Sequence, residues 1–219
     1  MRAEIGTENV KSIIVDLFFA GPDTTASSLS WFLLYMISFP EAQRKCQTEI
    51  DEIIENYGPP SQATVHRYPY TSATLLETLR MASVIDNSLP HIAREDVVVG
   101  GYPLKKGSVV IANIRYLHLR DEYWGDPLAF RPERWLDPTD SSKLVQHSHF
   151  MPFSLGKRRC LGESLAKLEF SVFSIMLLRN FTFKMANPDL PPSLNGMGVV
   201  HSPLPYDVVI ESRKVDVGS

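Results

Sequence analysis

The sequence predicts a mainly α chain with small β-sheets, an α+β fold, and three observations carry that prediction. The run 7–39 is apolar at nearly every helical phase, a second apolar run of helical period spans 161–178, and the segments between and after them that read as strands are short. Over 219 residues, 44% are apolar and 21% charged, with a formal charge of −3. That is an ordinary globular balance, and it argues against nucleic acid as a partner. Two cysteines far apart, Cys46 and Cys160, indicate no disulfide framework and a reducing compartment. No stretch of about 18 apolar residues occurs, because Asp16, Pro22 and Asp23 interrupt the richest one, so no anchor is expected within the chain.

Run 7–39 reads as one long helix that must be covered on all sides. Little precedes it, so the chain is expected to begin in the middle of a fold. Within it, Gly21 and Pro22 disfavour regular helix by about 1 and 3 kcal/mol. A kink in which Thr24 bonds back to the carbonyl of Ala20 is the simple reading. Residues 41–57 form a charged amphipathic helix, a scaffold element with Cys46 incidental, ended by Gly58-Pro59-Pro60. A further helix runs from 68 or 69 to 81 and sets Glu77 and Arg80 three apart on one face. Residues 96–113 read as a β-hairpin, with Val97-Val98-Val99, a turn region at Gly100-Gly101-Tyr102-Pro103, and Val109-Val110-Ile111. Residues 126–150 read as a meandering loop, in which His147-Ser148-His149 is taken as a solvated turn. The helix 161–178 is expected to be deeply buried. Strands follow at 181–183 and 207–210, with a turn at 195–199.

The chemistry centres on Phe153-Ser154-Leu155-Gly156-Lys157-Arg158-Arg159-Cys160-Leu161-Gly162. A lone cysteine is usually a small buried hydrophobe. This one stands in a glycine-flanked turn at a helix start, where the helix dipole, free N–H groups and Arg158 and Arg159 favour thiolate. Such a thiolate is a nucleophile or a metal ligand. A nucleophile needs a base, and His147 and His149 lie upstream of an apolar run. Zinc and iron–sulfur sites need three or four ligands, whereas one thiolate beside a cation suits haem iron.

The spacing F-x-x-G-x-R-x-C-x-G, met by Phe153, Gly156, Arg158, Cys160 and Gly162, resembles the haem-binding signature of cytochrome P450 monooxygenases. Ala20-Gly21-Pro22-Asp23-Thr24-Thr25 resembles that family's A-G-x-D/E-T-T segment, with proline as a departure. Glu77-Thr78-Leu79-Arg80 resembles its E-x-x-R element, and Phe130-Arg131-Pro132-Glu133-Arg134-Trp135 its P-E-R-F/W element. Pro90-His91 matches the place where microsomal members related to family two set a histidine on a haem propionate. A turn histidine serves as well for His91. At His118-Leu119-Arg120-Asp121 the chain departs from the family's His-Asp-Pro, which puts the local capping in question.

This resemblance covers about 7–212 and implies that 1–219 is the C-terminal half of the cytochrome P450 fold, one part of a single haem-thiolate domain whose N-terminal half is absent. It implies haem b (iron protoporphyrin IX), with Cys160 as the axial iron ligand and Arg158, and on that reading His91, toward the propionates. Phe153, Gly156, Gly162 and Ala20 would shape the cofactor site, and Asp23 and Thr24 would manage protons. Glu77, Arg80 and Arg134 would form a buried structural triad, while residues 83–89 and the turn 195–199 would line the substrate pocket. The implied reaction places one atom of O2 into a small apolar organic substrate, with electrons from an NADPH-dependent flavoprotein reductase that meets Lys157 and Arg159. The implied location is the cytoplasmic face of the endoplasmic reticulum membrane, held through the missing N-terminal part. A chain lacking that part could instead be a truncated, catalytically incompetent haem-domain fragment.

Overall fold

The computed structural model describes residues 6–214; the remainder of the expected domain 1–219 lies outside the described residues. The first element, helix α1 (Thr7–Ser38), runs without interruption through Pro22. Proline removes one ladder bond and still leaves the helix intact here. Thr24 Oγ1 turns back to donate to the carbonyls of Ala20 at 2.9 Å and Gly21 at 3.1 Å, as the local sequence suggests.

Only the C-terminal half of α1 is covered. Trp31, Phe32, Leu34, Tyr35, Met36 and Ile37 are buried, whereas Val15, Phe18 and Phe19 stand out in solvent. The expectation that the helix is covered on all sides therefore fails for its first half among the described residues.

Helix α2 (Pro40–Tyr57) presents Ala42, Cys46 and Ile50 to the same core and ends at Gly58, whose φ of +75° favours glycine. Helix α3 (Pro69–Ala82) adds Leu75 and Leu79, and its end cap is Ser83 in the left-handed region, φ +43°. Helix α6 (Glu163–Asn180) closes the cluster with Phe170, Ile175 and Leu178. It is not deeply buried throughout. Leu165, Phe173 and Met176 are exposed, so the helix buries one face and leaves another open. Two side chains of α2 tie the last sheet to this bundle: Gln43 exchanges bonds with both backbone groups of Phe183, and Gln47 donates to the carbonyl of Phe181.

Among the described residues the β structure consists of four two-stranded antiparallel sheets. The expected hairpin 96–113 is redistributed. Strand β1 (His91–Ile92) pairs with β4 (Val109–Val110), while β2 (Val97–Val99) turns through Gly100 and Gly101 to pair with β3 (Tyr102–Leu104). Tyr102 and Pro103 thus belong to a strand rather than to a turn. Between this region and the meander lie the short helices α4 (Ile114–His118) and α5 (Asp121–Trp124), the latter with no side-chain cap at Arg120. Strands β5 (Phe181–Met185) and β8 (Val208–Ser212) pair across five residues. Strands β6 (Gly196–Met197) and β7 (Ser202–Pro203) pair across two. The mainly α, small-sheet architecture expected from the sequence is the one observed.

Candidate functional site

The loop carrying Cys160 is a folded object. Its backbone closes on itself through Cys160 N–H donating to the carbonyl of Phe153 at 2.9 Å, across a short helical turn, Gly156–Arg158. Ser154, φ +60°, and Gly156, φ +75°, bend the chain sharply enough to allow this closure. Phe153 packs against the main core and so anchors the base of the loop. Cys160 itself is exposed, two residues before Gly162, the N-cap of α6. Lys157, Arg158 and Arg159 are exposed around it. Positive charge thus gathers where unpaired amides of α6 already point. Exposure leaves the sulfur open to a partner, with three cationic side chains beside it.

Helix α1 passes over this loop. A side-chain carbon added at Gly162 would stand 3.5 Å from Leu17 Cδ2 and 4.0 Å from the Cys160 sulfur. Gly21 and Thr24 follow Leu17 by four and seven residues and therefore share its face. Ala20 and Asp23 are exposed, Thr24 is half-buried, and nothing lies within 4 Å of a side-chain carbon placed on Gly21. The small-residue stretch of α1 therefore borders open space beside the cysteine loop.

The residues present fit a haem by the chemistry of the donor set. Among the described residues no group of three or more His, Cys, Asp or Glu side chains could hold a bare metal ion. Of the two cysteines only Cys160 is exposed, and a single thiolate is a complete protein ligand set for haem iron. Open space beside Gly21, with apolar Phe18 exposed on α1 and Leu161 and Leu165 exposed around the start of α6, suits a flat, largely apolar group.

Behind the loop, the structure brings Glu77, Arg80 and Arg134 together. Both carboxylate oxygens of Glu77 receive the Arg80 fork, Nε at 2.9 Å and Nη2 at 2.8 Å. Arg134 Nε donates at 3.0 Å, the amide of Arg131 at 3.0 Å and the indole of Trp135 at 2.9 Å. Glu77 and Arg80 have no solvent exposure at all. A buried charge is tolerable only when its partner and all its lone pairs are satisfied, and here they are. The Trp124 ring lies 4.9 Å from the Arg80 guanidinium and 5.7 Å from that of Arg134, adding cation–π contact.

His91 is not part of this assembly. It lies exposed in β1, paired through its backbone with Val110. His147, expected as a solvated turn, is half-buried against Trp124 and Trp135, with its Nε2 on the carbonyl of Arg134 at 3.0 Å.

Two residues escaped sequence reasoning. Trp135 sits inside the P-E-R-F/W match, yet nothing in a sequence announces that its indole completes a carboxylate shell. His118 is fully buried and receives the amide of Met151 on Nε2 at 3.1 Å, while Nδ1 faces Ser83 Oγ at 2.9 Å. Burial first, then Arg80 and Arg115, push its imidazole down to about 3, so it is neutral near pH 7.

Comparison with known proteins addresses the family and the fold. The family model described as Cytochrome P450 matches residues 2–210. Cytochrome P450 2D26 of Rattus norvegicus is 37% identical over 213 residues, covering 97% of this chain and 42% of that protein. Cytochrome P450 2U1 of Homo sapiens is 38% identical over 202 residues, covering 92% of this chain and 37% of its own length. A solved zebra fish cytochrome P450 with abiraterone superposes with a TM-score of 0.83 at 34% identity, covering 91% of this chain and 47% of that one. The chain therefore spans less than half the length of these relatives.

Proposed function

Since this chain belongs to the cytochrome P450 family, we propose that residues 1–219 are the C-terminal part of one haem-thiolate domain of a monooxygenase that oxidises a small apolar organic substrate. The single observation that carries this reading is the placement of Cys160, exposed on a backbone-closed loop at the start of α6, with α1 passing beside it. Cys160 would hold the iron of haem b through its sulfur, with Arg158 toward a propionate. Bound haem supplies the activation of O2.

The chain's own residues do the rest. Thr24 Oγ1 carries a proton that in the present geometry is committed to the carbonyls of Ala20 and Gly21, and exposed Asp23, the residue before it, shares the proton-handling role on this reading. Phe153, Gly156 and Gly162 fix the loop, and Ala20 leaves room on the opposite side. Glu77, Arg80 and Arg134 hold the scaffold behind the loop and touch no reactant. His91, exposed on its strand, would on this reading stand toward a propionate.

An NADPH-dependent flavoprotein reductase is the proposed electron source, with exposed Lys157 and Arg159 offering positive charge to an acidic surface. The similarity to family-two relatives supports the endoplasmic reticulum membrane, cytoplasmic face, as the location. No helix among the described residues is long and apolar enough to cross a membrane.

A second reading has its own observation. Phe18 is 80% and Phe19 88% exposed on α1, and apolar surface of that kind needs a cover. The 219 residues by themselves would then bind haem poorly and lack activity. One experiment addresses both readings: the reduced carbon monoxide spectrum of the protein in its full natural length and of the 219-residue chain alone. A thiolate-type band in the full-length protein, lost in Cys160→Ser, is the expected result. An unchanged band in that variant would overturn the assignment of Cys160, and a stable band with turnover in the 219-residue chain would overturn the second reading.

A further inference from the structure

The fully buried imidazole of His118 joins three segments distant in sequence. Its ring meets Ser83 at the end of α3 and the amide of Met151 at the base of the cysteine loop, and its own carbonyl accepts from Arg80 Nη1 at 2.8 Å. Phe150, just before Met151, packs beside the ring with centroids 5.4 Å apart.

The hydrogen bonds fix the tautomer. An amide can only donate, so Nε2 carries no proton and accepts from Met151; Nδ1 then carries the proton and donates to Ser83 Oγ. Ser83 Oγ passes its own hydrogen to the carbonyl of Arg80 at 2.9 Å. The relay explains why Ser83, rather than glycine, tolerates the left-handed backbone at the end of α3: both of its hydroxyl roles are used there. From Met151 the connection continues, because Met151 O accepts from Ser154 N at 3.0 Å and Phe153 O accepts from Cys160 N at 2.9 Å.

We propose that His118 is a positioning residue that sets the height and direction of the Cys160 loop by holding the Met151 amide against the end of α3. It rests on the proposed haem-thiolate reading for its consequence, though not for its geometry. A charged imidazolium could not play this part, since it would have no lone pair for Met151. The depressed affinity for protons, caused by burial and by Arg80 of α3 and Arg115 of α4, keeps the ring in the form required.

The test uses the protein in its full natural length and three variants. Gln at 118 places an acceptor near the position of Nε2, Asn reaches only as far as Nδ1, and Phe supplies neither. The first readout is hydrogen exchange at the peptide containing Met151 and the loop through Cys160, which is independent of haem. Exchange there is expected to run roughly tenfold faster in His118→Phe and His118→Asn, and to return near the wild-type rate in His118→Gln. The second readout is the fraction of thiolate-type carbon monoxide complex, expected to fall in the same two variants and to recover with Gln.

Exchange within twofold of wild type in His118→Phe, or equal exchange in the Gln and Asn variants, would overturn the proposal. If His118→Phe does not accumulate, the Gln–Asn difference decides alone. Faster exchange with an unchanged spectrum would refute the link to the thiolate, whereas the absence of any thiolate band in the wild-type protein would refute the haem reading instead.

Discussion

Trp135 donates its indole N–H to Glu77 Oε2 at 2.9 Å, on the same oxygen that receives Arg80 Nε. The carboxylate therefore has a neutral donor as well as its arginines, and the contributions can be separated. Glu77→Gln leaves Arg80 fully buried without a counter-charge and is expected to lower stability by about 3–5 kcal/mol. Trp135→Phe keeps the ring packing and deletes one charge-assisted bond, for which about 1.5–3 kcal/mol is expected. Denaturant midpoints of the two variants measure the order; a larger loss in Trp135→Phe would contradict the view that the ion pair dominates.

Gly196 is required by space. A side-chain carbon there would stand 2.6 Å from Ser202 O, 2.6 Å from Trp31 Cζ2 and 2.7 Å from His201 Nε2. Those neighbours cannot yield easily, because Trp31 is buried and donates to the carbonyl of His201, whose Nδ1 is in turn held by the carbonyl of Ala82. Gly196→Ala should cost about 1–3 kcal/mol through overpacking. Thermal unfolding would report it as a lowered midpoint, and a neutral result would show that the β6–β7 hairpin moves off α1 without cost.

The two cysteines should differ in chemistry as they differ in setting. Cys46 is fully buried, gives its thiol to Thr74 at 3.3 Å, and has its ionisation pushed up to about 12 by burial. Cys160 is exposed. In haem-free protein at mildly alkaline pH, one equivalent of an alkylating reagent is expected to react at Cys160, with Cys46 at least ~100-fold slower until denaturant is added. Mass spectrometry of the digested product identifies the site, and early labelling of Cys46 would mean that the α2–α3 core opens readily.

Much of the scaffold was legible because it is local. The apolar period of 7–39 and the Gly58 stop need only neighbours in sequence. The Glu77, Arg80 and Arg134 cluster was legible only through resemblance, since Arg134 lies 57 residues beyond Glu77 and no periodicity links them. The strand pairing 91–92 with 109–110 was lost because two-residue strands carry almost no pattern and Val97–Val99 competes for the same partner by composition. The extent of burial misled for a different reason. Periodicity says which face of α6 is apolar, whereas whether Phe173 and Leu165 are covered depends on what packs there. His118 was invisible because a buried histidine and a loop histidine look alike in a sequence.

The neutral state of His118 also makes stability depend on pH with a definite sign. In the folded protein its affinity for protons is pushed down to about 3, from an ordinary value of 6.5. Between those limits the unfolded chain binds a proton that the folded one refuses, so stability rises with pH across the window. The contribution is therefore complete above about pH 6.5 and drains away as pH falls toward 3, by at most about 1.4 kcal/mol per pH unit. Taken from pH 7.5 to pH 5.0, the loss from this one ring should be about 2 kcal/mol. His118→Gln cannot titrate, so denaturant midpoints of the variant should change less than those of the wild type over the same interval. Parallel pH profiles for the two proteins would mean that the imidazole gains water or a counter-charge on acidification, and that the closed relay from Ser83 to Met151 opens before the fold does.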